Sequence, residues 1–153
     1  SNMLEEILRI ENITTNLSGK NKTDVISELV DILYSSDPSF DKEAVKQALM
    51  MRELKGSTGI GNHIAIPHAK VNSIDKIMIS IGLSKKGIDF ESIDGKPVHL
   101  IFCIVLPQNV DPKVHLELLR EIVSKYENVD VTELASSVSS PTDLYNLLVS
   151  NST

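Results

Sequence analysis

Arg52, His68 and His115 each stand where an apolar run meets a loop, and together they could handle an anion. An arginine on the apolar stripe of a helix is tolerated only with an anionic partner or with its head in a cleft. His115 falls one turn into another helical segment, where the macrodipole disfavours an imidazolium and attracts negative charge. His68 follows Pro67, which fixes its own φ and holds Ile66 extended, so the ring leaves a short strand in a constrained direction. Between them runs Gly56-Ser57-Thr58-Gly59-Ile60-Gly61, whose glycines allow close backbone approach and whose hydroxyls and N–H groups can bind oxyanions. Ser57, Thr58 and Gly59 are the candidate phosphoryl-binding positions. A guanidinium, two imidazoles and such a loop suit phosphoryl transfer, in which the protein mainly positions atoms and stabilises charge.

Other chemistries fit less well. The loop lacks the Gly-Lys-Ser/Thr ending of a Walker A sequence and opens no long helix as a dinucleotide fingerprint would, which argues against ATP and NAD. His63, His68, His99 and His115 invite a zinc reading, but no compact ligand pair is visible and cysteine ligands are missing, so no metal is expected. A Ser57–His68 hydrolase pair lacks the nucleophile elbow. Bland readings stand beside the functional ones: Arg52 as a cap for its helix C-terminus, His115 as a satisfied structural histidine, His63 as a solvated loop residue, and His99 as an ordinary strand residue. Glu117 and Glu121 read as a wet helix face with Arg120 and Lys125 as local charge partners.

The elements that must position these residues follow from periodicity. Val25, Ile26, Leu29, Val30 and Leu33 form a helical stripe behind a Thr23/Asp24 cap. Asp41 opens a second helix with Val45, Ala48 and Leu49 on one side, and Arg52 is one turn further along that stripe. Ile64-Ala65-Ile66 is a short extended run ended by Pro67 and His68. Lys76 to Leu83 alternates as a strand, and Val98 to Leu106 is almost wholly apolar, as a strand covered on both faces should be. Asp111-Pro112 is an N-cap and first helical position, with Leu118, Leu119 and Ile122 behind it up to Tyr126. Two closing helices are expected over Asp130–Val138 and Pro141–Val149. Strands separated by helices predict an α/β single-domain three-layer sandwich, a mixed and mostly parallel sheet with helices on both faces.

With 153 residues and 41 % hydrophobic against 24 % charged, the chain has enough apolar material for one core and excludes a disordered polypeptide. The net charge of −6 with no basic block gives no support for a nucleic-acid surface. The longest apolar run, Leu100 to Leu106, is too short to cross a bilayer, and no secretion signal is visible, so no membrane insertion and a cytoplasmic location are expected. Cys103 lies inside that run and reads as a small buried hydrophobe. Asn-x-Ser/Thr triplets begin at Asn12, Asn16, Asn21 and Asn151, and without a secretion signal they carry no weight. Ser1-Asn2 before Met3 reads as the remnant of a cleaved tag, which leaves residues 4–149 as the expected domain.

Met51-Arg52-Glu53, Ser57-Thr58-Gly59-Ile60-Gly61 and Ile64-Ala65-Ile66-Pro67-His68-Ala69 resemble the signature of the type-2 (mannitol/fructose-type) EIIA domains of the bacterial sugar phosphotransferase system. Asp94-Gly95-Lys96-Pro97-Val98 and His115-Leu116-Glu117-Leu118-Leu119 are similar to that family in order and spacing, so the resemblance covers Leu4 to Leu148. It implies a phosphocarrier without a cofactor: His68 accepts a phosphoryl group through Nε2 from phospho-HPr and passes it to an EIIB domain, with EIIC served indirectly and a sugar of the fructose/mannitol class taken up. It also implies that Arg52 and His115 steady the phosphoryl oxygens. The alternative within the resemblance is a nitrogen-type regulatory EIIA, whose phosphorylation state controls binding to other proteins. His63 departs from the family pattern, which more usually has glycine there.

Overall fold

A computed structural model of the chain describes residues 2–150, so Ser1 of the expected tag remnant and the triplet at Asn151 lie outside the described residues. The chain runs through α1 (Met3–Ile7), a short 3-10 turn, β1 (Ile13–Thr14), α2 (Lys22–Ser36), α3 (Lys42–Leu54), β2 (Gly59–Gly61), β3 (Ile64–Ala65) and β4 (His68–Val71). It continues through β5 (Met78–Ile88), β6 (Val98–Pro107), α4 (Pro112–Tyr126), α5 (Val131–Ser137) and α6 (Pro141–Ser150).

The helices start where short polar side chains can serve their free N–H groups. Asp41 and Asp111 cap α3 and α4 as expected, accepting from Ala44 and Lys113. The cap of α2 is not the expected Thr23/Asp24 pair. Asn21 takes the extended conformation that a cap requires and accepts the Asp24 N–H at 2.9 Å, which places Thr23 inside the first turn.

The sheet order is β1-β5-β6-β3-β2, with β4 also beside β6. It is mixed, as expected. Three pairings are parallel (β1 with β5, and β3 and β4 with β6), yet the longest ladder, β5 against β6, is antiparallel. Alternation along β6 builds a core on each side of it. Leu100, Phe102 and Ile104 pack toward α1, α4, α5 and α6, while Ile101, Cys103 and Val105 pack toward α2 and α3. This is the three-layer arrangement, with the central strand apolar on both faces. Burial pushes the Cys103 thiol up to about 12, so it stays protonated and serves as the small hydrophobe expected.

The lane beside β6 breaks once. Ile64 and Ala65 pair opposite Leu100 and Ile101, then Pro67, which has no N–H, interrupts the ladder before His68 resumes it opposite Ile104. His68 therefore opens a strand and does not merely end the preceding run. No helix among the described residues is long and apolar enough to cross a membrane.

Candidate functional site

Register on β4 aims the site. Ala69 and Val71 belong to the core beneath α2 and α3, so His68 and Lys70 project toward the opposite layer, where α4 lies. Pro112 at the first position of α4 and the Asp111 cap fix the start of that helix, and His115 follows in its first turn. The two rings meet edge to face with centroids 5.3 Å apart and planes at 69°.

His68 Nδ1 lies 2.8 Å from the Ile66 carbonyl. A carbonyl can only accept, so Nδ1 carries the hydrogen in the neutral ring and Nε2 keeps its lone pair. The ladder is interrupted here, and the Ile66 carbonyl meets the ring two residues on. The half-buried His68 has its pKa held below the ordinary histidine value, first by burial, against which the Ile66 carbonyl pulls upward; the Arg52 cation then pushes down and the Glu53 carboxylate up. Burial is a larger cause than the Arg52 cation. His115 is also held low, first by burial and then by the cationic form of His68 and by Lys70. Its Nε2 is buried without a hydrogen-bond partner among the described residues.

Arg52 lies in the last turn of α3 and donates from Nη1 to the Gly56 carbonyl at 2.8 Å. It holds the chain just past its own helix, and its charge acts on His68.

The loop departs from expectation. Thr58 donates its N–H and its hydroxyl to the two oxygens of Glu53, at 2.9 and 2.7 Å. The Ser57 hydroxyl donates to the Phe90 carbonyl and accepts the Gly59 N–H at 3.0 Å. The Ser57 hydroxyl, both Thr58 donors and the Gly59 N–H, expected to meet an anion, are therefore committed inside the protein. The loop is a brace. A Cβ at Gly59 would come within 2.1 Å of the Ser92 hydroxyl oxygen and 3.0 Å of its Cβ, so a side chain there would have to displace Ser92.

Glu53 is the residue that sequence reasoning passed over. It is 5 % exposed, and its carboxylate also receives Lys22 Nζ at 3.3 Å, while Lys22 reaches Glu91 at 3.0 Å. The available signal was an acid in the last turn of a helix, where the macrodipole disfavours it, with a threonine five positions on. Glu53→Ala strands the Thr58 N–H and leaves Lys22 with Glu91 alone. A loss of about 3 kcal/mol in urea unfolding is expected; a change below about 0.5 kcal/mol would refute the brace.

The four histidines form two separate pairs. His63 and His99 meet with centroids 5.6 Å apart and donate from Nδ1 to the Pro97 and Ser84 carbonyls at 2.8 and 2.7 Å. His63 is thus half-buried and anchored, not a free loop side chain. Asn62 and His63 both have left-handed φ, 52° and 64°, in the turn from β2 to β3, which is the conformation that favours glycine at this position. Glu121, expected on a wet face, instead accepts the Met3 and Leu4 N–H groups at 2.9 and 2.8 Å and so caps α1, with Lys125 at 3.2 Å. A concavity of about 700 Å³ lined by Glu6, Arg9, Ser36 and Lys76 involves none of these site residues.

A family model described as phosphoenolpyruvate-dependent sugar phosphotransferase system, EIIA 2, matches residues 6–151. The chain is 41 % identical over 119 residues to the PTS system fructose-specific EIIABC component of Bacillus subtilis, covering 78 % of this chain but only 19 % of that relative's length. It is 32 % identical over 146 residues to the nitrogen regulatory protein of Pseudomonas aeruginosa, covering 95 % of this chain and 94 % of that one. Among solved structures, nitrogen regulatory protein IIA-Ntr from Neisseria meningitidis superposes with a TM-score of 0.84 at 28 % identity, covering 95 % of this chain and 99 % of that one.

Proposed function

The chain belongs to the phosphoenolpyruvate-dependent sugar phosphotransferase system EIIA 2 family, and on that premise we propose that it carries a phosphoryl group on His68 Nε2, taken from phospho-HPr and passed to an EIIB domain. One observation supports this above the others: the Nδ1 hydrogen is held by the Ile66 carbonyl, which leaves Nε2 as the nucleophilic nitrogen beside His115. In the step, a donor ring protonated on its other nitrogen leaves as neutral imidazole with the N–P electron pair, and a P–N bond forms at His68 Nε2. No proton need move, because the donor ring gives up its positive charge as the His68 ring, which keeps its Nδ1–H on the Ile66 carbonyl, takes one up. Transfer between two nitrogens passes through a loose, nearly in-line transition state, so the residues position and neutralise charge without a metal or cofactor. Arg52 supplies the fixed cation, and His115 presents a neutral ring.

The pH dependence follows from the lowered pKa. Only neutral His68 can attack, so acceptance of the phosphoryl group is flat above about pH 6.5, the ordinary histidine value, and falls as pH drops through the lower folded value. The same group costs stability only in acid, because below about 6.5 the unfolded chain takes up the proton first. A proton-NMR titration of His68 should show a midpoint below 6.5; a midpoint above it would contradict the assigned environment.

Incubation with phosphoenolpyruvate, enzyme I and HPr should yield an acid-labile phosphohistidine, and a panel of EIIB acceptors should include one that receives the group. A second reading, a regulatory protein that uses phosphorylation as a switch, is favoured by the match to a nitrogen regulatory protein along almost the full length of both chains. Labelling with no transfer to any EIIB would select it.

A further inference from the structure

We propose that Lys70 is a further phosphoryl-binding residue, its ammonium meeting the transferred group from the β4 side while Arg52 meets it from α3. This rests on His68 as the acceptor.

The argument begins with charge. A phosphoryl group brings roughly two negative charges, and the Ser57 hydroxyl, both Thr58 donors and the Gly59 N–H are already committed. Neutral His115 adds no cation, so Arg52 alone leaves part of the charge unmet. Lys70 is two residues beyond His68 on β4 and projects from the same face of the strand. Two residues of strand span roughly 7 Å, a distance that a flexible four-carbon stem can cover to bring its ammonium to Nε2. Lys70 is exposed, and its side chain makes no ion pair or hydrogen bond among the described residues, so no internal partner must be given up. Its charge already reaches the neighbouring ring, since it helps to hold the His115 pKa down. Lys70 neither gives nor takes a proton in the step. It acts by charge on the oxygens that the transition state spreads.

The test separates the phosphoryl group from the protein that delivers it. Wild type, Lys70→Gln and Lys70→Arg are phosphorylated in parallel by potassium phosphoramidate, which needs no docking surface, and by phospho-HPr, with phosphorus NMR following product at His68. Lys70→Gln should react about fivefold more slowly with both donors, Lys70→Arg should recover most of the rate, and the His115 midpoint should rise in Lys70→Gln alone. Equal phosphoramidate rates for wild type and Lys70→Gln overturn the proposal, and slowing with HPr only would place Lys70 on a docking surface instead. Wild type that takes no label at His68 from either donor overturns the carrier reading itself, and this proposal falls with it.

Discussion

His68→Ala should carry no acid-labile phosphoryl group after incubation with phosphoenolpyruvate, enzyme I and HPr, while wild type is labelled to near one equivalent. The effect is complete because His68 alone would carry the group in the proposed step. His115 Nε2 is buried, and His63 and His99 form their own pair away from β4. The fold should survive the change. His68 is half-buried and lies outside both hydrophobic cores, and its one side-chain hydrogen bond is local, to Ile66. A cooperative unfolding transition near that of wild type distinguishes loss of the acceptor from loss of structure. Label that persists on the variant would remove His68 from the mechanism.

Arg52→Gln should slow phosphoryl acceptance by about two to three orders of magnitude, the scale of removing one preorganised group that meets developing charge. Two consequences separate charge from scaffolding. Without the guanidinium the field that opposes protonation of His68 weakens, so the His68 midpoint should rise, although burial keeps it below the ordinary value. Arg52→Lys keeps the charge but cannot reproduce a planar fork that holds the Gly56 carbonyl while facing the site. Its rate should fall between the other two, with a near-wild-type His68 midpoint. Wild-type rates in Arg52→Gln would reduce Arg52 to a cap for α3.

These expectations began as residue types at edges, and their legibility was uneven. His68 and His115 could each be singled out because proline and helix phase are local rules that act on neighbours in sequence, whereas their meeting followed only from the family resemblance. Long apolar elements were legible for the same reason: β6 and the stripe of α2 carry enough residues to show a period. α1, β1 and β2 were not, because elements of two to five residues carry no measurable period and exist through what they pair with. The limits of β5 moved too, since β6 supplies its partners as far as Ile88.

The loop shows the same division in chemical form. Gly56 to Gly61 displays donors in the sequence, and nothing local says whether they face a ligand or the protein. Glu53, buried by packing against the loop and neutralised by Lys22 from α2, takes the donors of Thr58. Glu121 repeats the lesson: an acid on a helix looks solvated until the first turn of a distant segment, Met3 and Leu4, arrives over it.

By itself the sequence determined the helix caps at Asp41 and Asp111, the double-faced strand at the centre and the family signature, and it singled out Arg52, His68 and His115 as candidates. Tertiary structure decided which donors remain free, that burial outweighs Arg52 in setting the His68 pKa, and that Lys70 shares the face of His68. The physical reason is reach. Periodicity, capping and proline constraints operate over a few bonds, whereas desolvation and electrostatic fields depend on which distant segments the fold brings into contact.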